Sequence, residues 1–340
     1  MTHDIGVYRT AGNRAQWFAV AAVTAGGALA AATLHAQAVA DETYPTRAIR
    51  LIVPAPPGGA SDIVGRLVAS KLGEALKRQI VVDNRSGGGQ VIATELGARA
   101  APDGYTLLMV SAAHGINPGL LKKLPYDSIR DFAPISLIAD SPLIFAAHPS
   151  LGVGDIRGLI ALAKSKPGRI NYGSSTPGTG GHLSVELLKW MTGIDLIHIP
   201  YKGAAQALTE VIGGHVQLIC SSPLSVLPHV KSGKLRGLAM TGRSRSRVAP
   251  ELPTVAESGV PGFQSSLWYV LLAPAATPQA IVRRLHAEAA ALVRLPDVVE
   301  QLVAQGADPI GSTPQEARDF IRAEITRWTK LIRQADIRAD

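Results

Sequence analysis

From residue 44 onward, apolar positions follow two rhythms: short runs rich in β-branched residues, and longer stretches in which apolar residues return every three or four positions. That alternation predicts strands interleaved with helices, an α/β fold on mainly parallel strands. Residues 49–55, 80–84 and 105–112 predict strands. After the first of them Ile63, Val64, Leu67, Val68, Leu72, Ala75 and Leu76 recur at helical spacing, and 91–101 predicts a shorter helix. A second series follows: helix 156–166, strand 170–174, helix 182–191, strand 196–201, helix 204–212 and strand 216–220. In the last of these helices Ala204, Ala207, Leu208, Val211 and Ile212 stand at i, i+3, i+4, i+7 and i+8.

Residues 132–147 join the two series. This apolar run, broken by Asp140, Ser141 and Pro142, is too long for one strand and too interrupted for a helix, so it is expected to carry the chain from one lobe to another. A strand at 235–241 leads into a loop rich in Pro, Ser and Arg, and 267–274 is expected to cross back. Two helices are expected to finish the chain. Thr277-Pro278 and Thr313-Pro314-Gln315-Glu316 each offer a capping side chain with Pro at the first helical position, and Glu316 completes a capping box. Ala317, Phe320, Ile321, Trp328, Leu331 and Ile332 give the last helix a packing face. At 340 residues and 46% hydrophobic the chain has material for a sizeable core and exceeds one average domain, which favours two lobes.

The first forty residues stand apart. Arg9 and Arg14 precede an uncharged, Ala-rich stretch at 17–34 that ends in small residues at Ala36, Ala38 and Ala40, the pattern of a secretory signal peptide cleaved near Ala40. An N-terminal membrane anchor is the rival, since a span requires about 20 apolar residues. Taking away Asp4, Arg9 and Arg14 changes the formal charge from +8 to +7, a basic balance that suits anionic small molecules or an anionic surface. Nucleic acid is not expected as a partner: aromatics are 5% of the chain, and Lys and Arg are scattered. The single cysteine, Cys220, leaves no internal disulfide and reads as a small buried hydrophobe.

Candidate chemistry sits in the glycine-rich loops. In Pro56-Pro57-Gly58-Gly59 the prolines stiffen the exit from the first strand and the glycines let the backbone turn into the helix that Ala60 and Ser61 open. The free amides of such a helix start make a site for a carboxylate or phosphate. The alternative is a plain tight turn in which Asp62 satisfies those amides; an acid there repels an anion unless its carboxylate points sideways. A second loop, Gly173-Ser174-Ser175-Thr176-Pro177-Gly178-Thr179-Gly180-Gly181-His182, occupies the corresponding place in the second series. It nearly spells a phosphate loop, but Thr179 stands where Lys is required, and Ile92 replaces the last glycine of a dinucleotide motif after Gly87-Gly88-Gly89. No GxSxG, HExxH or HxH pattern marks an enzyme or a metal site, and no cofactor is expected. His114, His182 and His198 read as hydrogen-bonded structural residues ahead of functional ones, His198 most clearly and His114 and His182 less so because they flank Gly-rich loops, and Lys202 in Tyr201-Lys202-Gly203 reads as a solvated charge or part of a shaped loop.

The blocks YPTRAIRLIVPAPPGGASDIVGRLVASKL, VVDNRSGGG, APDGYTLLM, LPYDSIRDFAPISLIA, IPYKGAAQALTEVIGG, LPHVKSGKLRGLAMTG and LPTVAESGVPGF, in this order, resemble the substrate-binding receptors of tripartite tricarboxylate transporters, the Bug receptors. The resemblance covers essentially all of residues 41–335. It implies a two-lobed periplasmic binding protein, type II-like, with a hinge and an interlobe cleft: lobe 1 from 41–141 and 268–340, lobe 2 from 142–267. It further implies a monomeric receptor, not an enzyme, that captures a small organic mono-, di- or tricarboxylate and delivers it to membrane permease subunits. From lobe 1 the implied cleft takes Pro57, Gly58, Gly59, Ala60 and Ser61, then Ser111, His114 and Asn117. From lobe 2 it takes Ser174, Ser175, Thr176, Gly178, Thr179, His182, Tyr201 and Ser221. Where the family commonly reads DLMFD, this chain reads Gln217-Leu218-Ile219-Cys220-Ser221, so the acid suited to an ammonium group is replaced by Ser221 and a plain carboxylate, including an aromatic one, is favoured. An exported hydrolase or isomerase acting on a carboxylate, and a sensor docking onto a signalling partner, are the alternative functions.

Overall fold

A computed structural model describes residues 1–2, 44–58, 60–175, 178–335 and 337; the leader reading for residues 3–40 lies outside them, as do Gly59 and Thr176. The body from Arg47 onward forms one compact unit. It holds two sheets.

The first sheet has strand order β11-β4-β10-β3-β1-β2, with β1 (Ile49–Val53), β2 (Ile80–Asn84), β3 (Thr106–Val110), β4 (Phe132–Pro142), β10 (Ser266–Pro274) and β11 (Asp308–Pro309). β1 pairs in parallel with β2 and β3, whereas β10 runs antiparallel to both β3 and β4. Helix α1 (Ala60–Leu76) lays Val64, Val68, Leu72 and Leu76, four apart, against this sheet. Gly65 permits the approach, since a Cβ there would stand 2.8 Å from Val53 Cγ2. The second, five-stranded sheet has order β7-β6-β8-β5-β9, with β5 (Ile144–Ala147), β6 (Asn171–Ser174), β7 (Ile197–Pro200), β8 (Leu218–Ser221) and β9 (Arg236–Met240). β6 is parallel to β7 and β8; β5 is antiparallel to β8 and β9. The two-residue period sorts β5 cleanly: Phe145 and Ala147 enter the core that also holds residues of the first sheet, while Ile144 and Ala146 enter a separate core on the other face with Val211 and Ile219.

The run 132–147 divides between the two sheets. β4 belongs to the first sheet and β5 to the second, with Leu143 alone between them. The return passes beside it. Thr241 ties both crossings: Leu143 N donates to its Oγ1 at 2.7 Å, its own N donates to Leu143 O at 2.8 Å, and Ser265 N donates to its carbonyl at 2.9 Å.

The predicted strands and helices lie within three residues of those observed, including α2 (Val91–Ala98), α4 (Ile156–Ser165), α5 (Gly180–Thr192) and α6 (Ala204–Ile212). Two helices were not foreseen, α3 (Ala113–Leu120) and α7 (Pro223–Lys231), and three close the chain instead of two: α8 (Gln279–Leu292), α9 (Pro296–Ala304) and α10 (Pro314–Gln334). The capping box at Thr313 and Glu316 forms. Thr277 is a correction: Pro278 is the residue before α8, no side chain caps that helix, and Thr277 Oγ1 is buried without a partner. Trp268 is core, fully buried, with its Nε1 donating to Glu324 Oε2 at 2.9 Å. No helix of the described residues is long and apolar enough to cross a membrane.

Candidate functional site

Parallel strands put their carboxyl ends, and the starts of the helices that follow, at one edge of a sheet. In the second sheet β6 leads to α5, β7 to α6 and β8 to α7. The first turns of all three helices lack a capping side chain and an acidic residue. Their amides and positive dipole ends are therefore available to something else.

These helix starts border a cavity of about 220 Å³. Ser174, Ser175, Thr179, Gly180 and Gly181 line it from the β6–α5 loop, Ala204 from α6, and Ile219, Cys220, Ser221 and Ser222 from the β8–α7 turn. Leu143 and Leu267, from the two crossings, complete the wall, and none of the twelve lining residues is charged. The start of α5 sits this close because Gly181 has no side chain: a Cβ there would stand 2.3 Å from Cys220 O. Ser175 Oγ donates to Thr179 Oγ1 at 3.1 Å, stapling the loop across its tip.

Behind the loop lies a ring cluster. Tyr172 stacks on His198 at 4.9 Å between centroids, His198 is 4.4 Å from His182, and Ser174 Oγ is 2.7 Å from His198 Nε2. Gly178 N donates to His182 Nδ1 at 3.3 Å. Burial, reinforced by the neighbouring His198, pushes the His182 imidazole down to about 4, and burial lowers His198 as well. Both rings are thus predominantly neutral at neutral pH and bring no positive charge to this edge of the sheet. Cys220 is buried as expected, and burial pushes its thiol up, away from thiolate chemistry.

The first-sheet residues are arranged differently. Pro57, Gly58 and Ala60 are exposed and Ser61 half-buried at the start of α1. Asp62 is buried and turned sideways: Gly58 N donates to its Oδ2 at 2.8 Å, Arg66 Nε to the same oxygen at 3.0 Å, and Asn84 Nδ2 to Oδ1 at 2.9 Å. Burial raises this carboxyl, but the hydrogen bonds from Arg66, Gly58 and Asn84 outweigh it and hold the group below the ordinary value. Ser111 is paired with Gln90, and Asn117 Nδ2 donates to Gly89 O at 2.8 Å, so both brace the glycine loop before α2. His114 is a core residue, 1% exposed, stacked with Tyr126 and donating from Nε2 to Ser128 O at 2.9 Å.

The cavity thus takes in Ser174, Ser175, Thr179 and Ser221 of the sequence-derived set. Its lining does not include Pro57, Gly58, Ala60, Ser61, Ser111, His114, Asn117, Gly178, His182 or Tyr201. Gly178 still brings the sheets' loops near each other, since a Cβ on it would lie 3.4 Å from Leu120 Cδ2 at the end of α3. Tyr201 packs its ring on Gly173. Sequence reasoning passed over Leu143, Leu267, Ala204, Ile219 and Ser222 as lining residues. Gly180 and Gly181 carried a signal in their loop, but the leucines join the wall only through the path of the crossings. Among the described residues no group of His, Cys, Asp and Glu is placed to hold a metal ion.

The profile of the family described as tripartite tricarboxylate transporter family receptor matches residues 64–337. Protein BugT of Bordetella pertussis is 38% identical over 298 residues, 87% of this chain and 91% of that protein. Among solved structures, R. palustris Rpa4515 with adipate is 36% identical, with a TM-score of 0.71, over 87% of this chain and 99% of that one. MatC (Rpa3494) from Rhodopseudomonas palustris with bound malate is 29% identical, with a TM-score of 0.67, over 85% of this chain and all of that one. The two-sheet, two-lobed architecture is that of these binding proteins, and the family is one of solute-binding receptors and not of enzymes. By this match the chain belongs to the tripartite tricarboxylate transporter receptor family.

Proposed function

We propose that this chain is an exported receptor that binds a small organic carboxylate at the edge of the second sheet and presents it to the membrane subunits of a tripartite transporter. The observation that carries this reading is the convergence of three uncapped helix starts, α5, α6 and α7, on a cavity without a charged wall residue. A carboxylate accepts several charge-assisted hydrogen bonds there, each worth about 1.5–3 kcal/mol, and helix dipoles of the same sign add to them. Relatives bound to adipate and to malate support the ligand class. The Arg-flanked apolar stretch near the N-terminus supports export. The loop from Pro57 to Ser61 is read as a closing surface, contributed from the opposite lobe once ligand is held.

The test is a melting-shift screen of the mature protein against a panel of carboxylates. A ligand at one hundred times its Kd stabilises by about 2.7 kcal/mol, or about 5 °C for a chain of this size. A panel of mono-, di- and tricarboxylates in which no member raises the melting temperature overturns the reading.

A further inference from the structure

We infer that the preferred ligand carries a single carboxylate on a compact apolar body, and that Leu143 and Leu267 set that preference. This rests on the carboxylate reading above and narrows it. Two independent features lead to it.

The first is the wall of the cavity. Its polar groups are peptide amides and the hydroxyls of serines and Thr179, and they belong to the helix starts. The rest is apolar: Leu143, Leu267, Ile219, the Cys220 thiol and the Ala204 methyl. Among the described residues no Arg, Lys, His, Asn or Gln reaches the wall. Leu143 is buried, and the side chains of both crossing leucines lie against the start of α5, where a Cβ on Gly180 would be 3.0 Å from Leu267 Cδ2 and 3.6 Å from Leu143 Cδ1. At about 220 Å³ the space is smaller than the roughly 300–1,000 Å³ of pockets for drug-sized ligands, so a guest held by its carboxylate has its remaining atoms against these apolar groups. A second carboxylate placed there loses its hydration and finds no matching donor set.

The second feature lies at the opposite lobe. The helix start that could serve a second carboxylate, that of α1, already holds an acid. Asp62 is 2% exposed, it occupies the Gly58 amide and the Asn84 side chain, and its charge is stabilised by Arg66. A ligand's second carboxylate brought to this loop meets a like charge and an amide already in use. Both ends of a dicarboxylate therefore cannot be served, whereas one carboxylate with an apolar remainder satisfies every surface described.

The experiment compares hexanoate with adipate, the same six-carbon chain with one or two carboxylates, and adds benzoate and malate, by titration calorimetry on the mature protein. Hexanoate or benzoate is expected to bind at least about tenfold more tightly than adipate or malate, tenfold being the effect of 1.4 kcal/mol. In Leu267→Gln, with folding checked by its melting curve, the ratio of hexanoate to adipate affinity is expected to fall several-fold. Adipate or malate binding the unmodified protein as tightly as hexanoate and benzoate overturns this inference and leaves the carboxylate reading standing. Absence of binding by all four and by the wider panel removes the reading itself. The unmodified protein alone thus decides the ligand preference even if the variant does not fold, and an unchanged ratio in a folded Leu267→Gln overturns the role given to that leucine.

Discussion

At Gly181 the first turn of α5 and the last carbonyls of β8 share a space that a methyl group does not fit, with 2.3 Å between an added Cβ and Cys220 O. Gly181→Ala is expected to push the helix start away from the strand end, destabilising by about 1–3 kcal/mol and weakening carboxylate binding by about tenfold, as read by chemical denaturation and calorimetry. A second single-residue effect concerns pH. Burial pushes His114 down to about 4, against the opposing pull of the Ser128 carbonyl and Asp127. In the unfolded chain this imidazole titrates near 6.5, so the unfolded state takes up the proton first, and the stability present above about pH 6.5 is lost as pH falls toward 4. His182, also held to about 4, acts in the same direction. Melting temperatures measured from pH 7.5 to 4.5 should fall, and the fall should be shallower in His114→Phe, whose ring suits the contacts with Tyr126 and Phe132.

Elements differ in how they declare themselves. The alternating strands and helices were legible because an apolar period of two or of 3.6 reports a buried face, and Ala204–Ile212 was placed to the residue on that ground alone. Helix α3 was not legible, since its segment AHGINPGL contains two glycines and a proline. It exists through packing: Gly115 and Gly119, one turn apart, let it close on α10, where a Cβ at Gly119 would stand 2.7 Å from Thr329 Cα. Helix α7, with Pro228 inside it, escaped for a similar reason. Local motifs also mislead when tertiary geometry differs: the two Thr-Pro pairs look alike, yet only Thr313 caps its helix. Thr313→Ala should cost about 1 kcal/mol in denaturation experiments, with Thr277→Val near neutral or stabilising, because the latter removes a buried hydroxyl that has no partner. Ser174, Ser175 and Thr179 of the cavity wall were visible as a hydroxyl-rich loop and Ser221 through the family resemblance, whereas Ser222 was missed and Leu143 and Leu267 were visible only as members of crossing segments.

For the molecule as a whole, the crossing region carries an electrostatic load. Asp140 pairs with Trp268 of β10 and Asp308 of β11 just before the chain changes sheets. As a residue it is half-buried, yet its Oδ1 is enclosed without a partner. Burial raises this carboxyl to about 7, with the Glu324 and Asp308 charges adding to the effect and Ser266 and Arg327 opposing it. The unfolded chain ionises at about 3.8, so the folded state is favoured at low pH and loses that advantage as pH rises from about 4 through 7. Asp140→Asn should therefore be more stable than the parent at pH 8, with the advantage shrinking as pH falls and disappearing only near pH 4, a convergence that paired thermal melts would show. His114 and Asp140 act over nearly the same pH range with opposite sign and largely offset each other between about pH 4 and 6.5, so the His182 contribution leaves the net fall in stability toward acid.

The uncharged wall of the cavity has a consequence for the medium in which the protein works. Mobile ions weaken attraction between exposed charges over roughly 8–10 Å, but they do little to hydrogen bonds made with peptide groups in an enclosed space. The dissociation constant for a carboxylate should therefore change by less than about threefold between 20 and 300 mM NaCl, even though the chain carries a formal +8. Over that range the receptor's hold on its ligand would stay nearly constant whatever the salt around it.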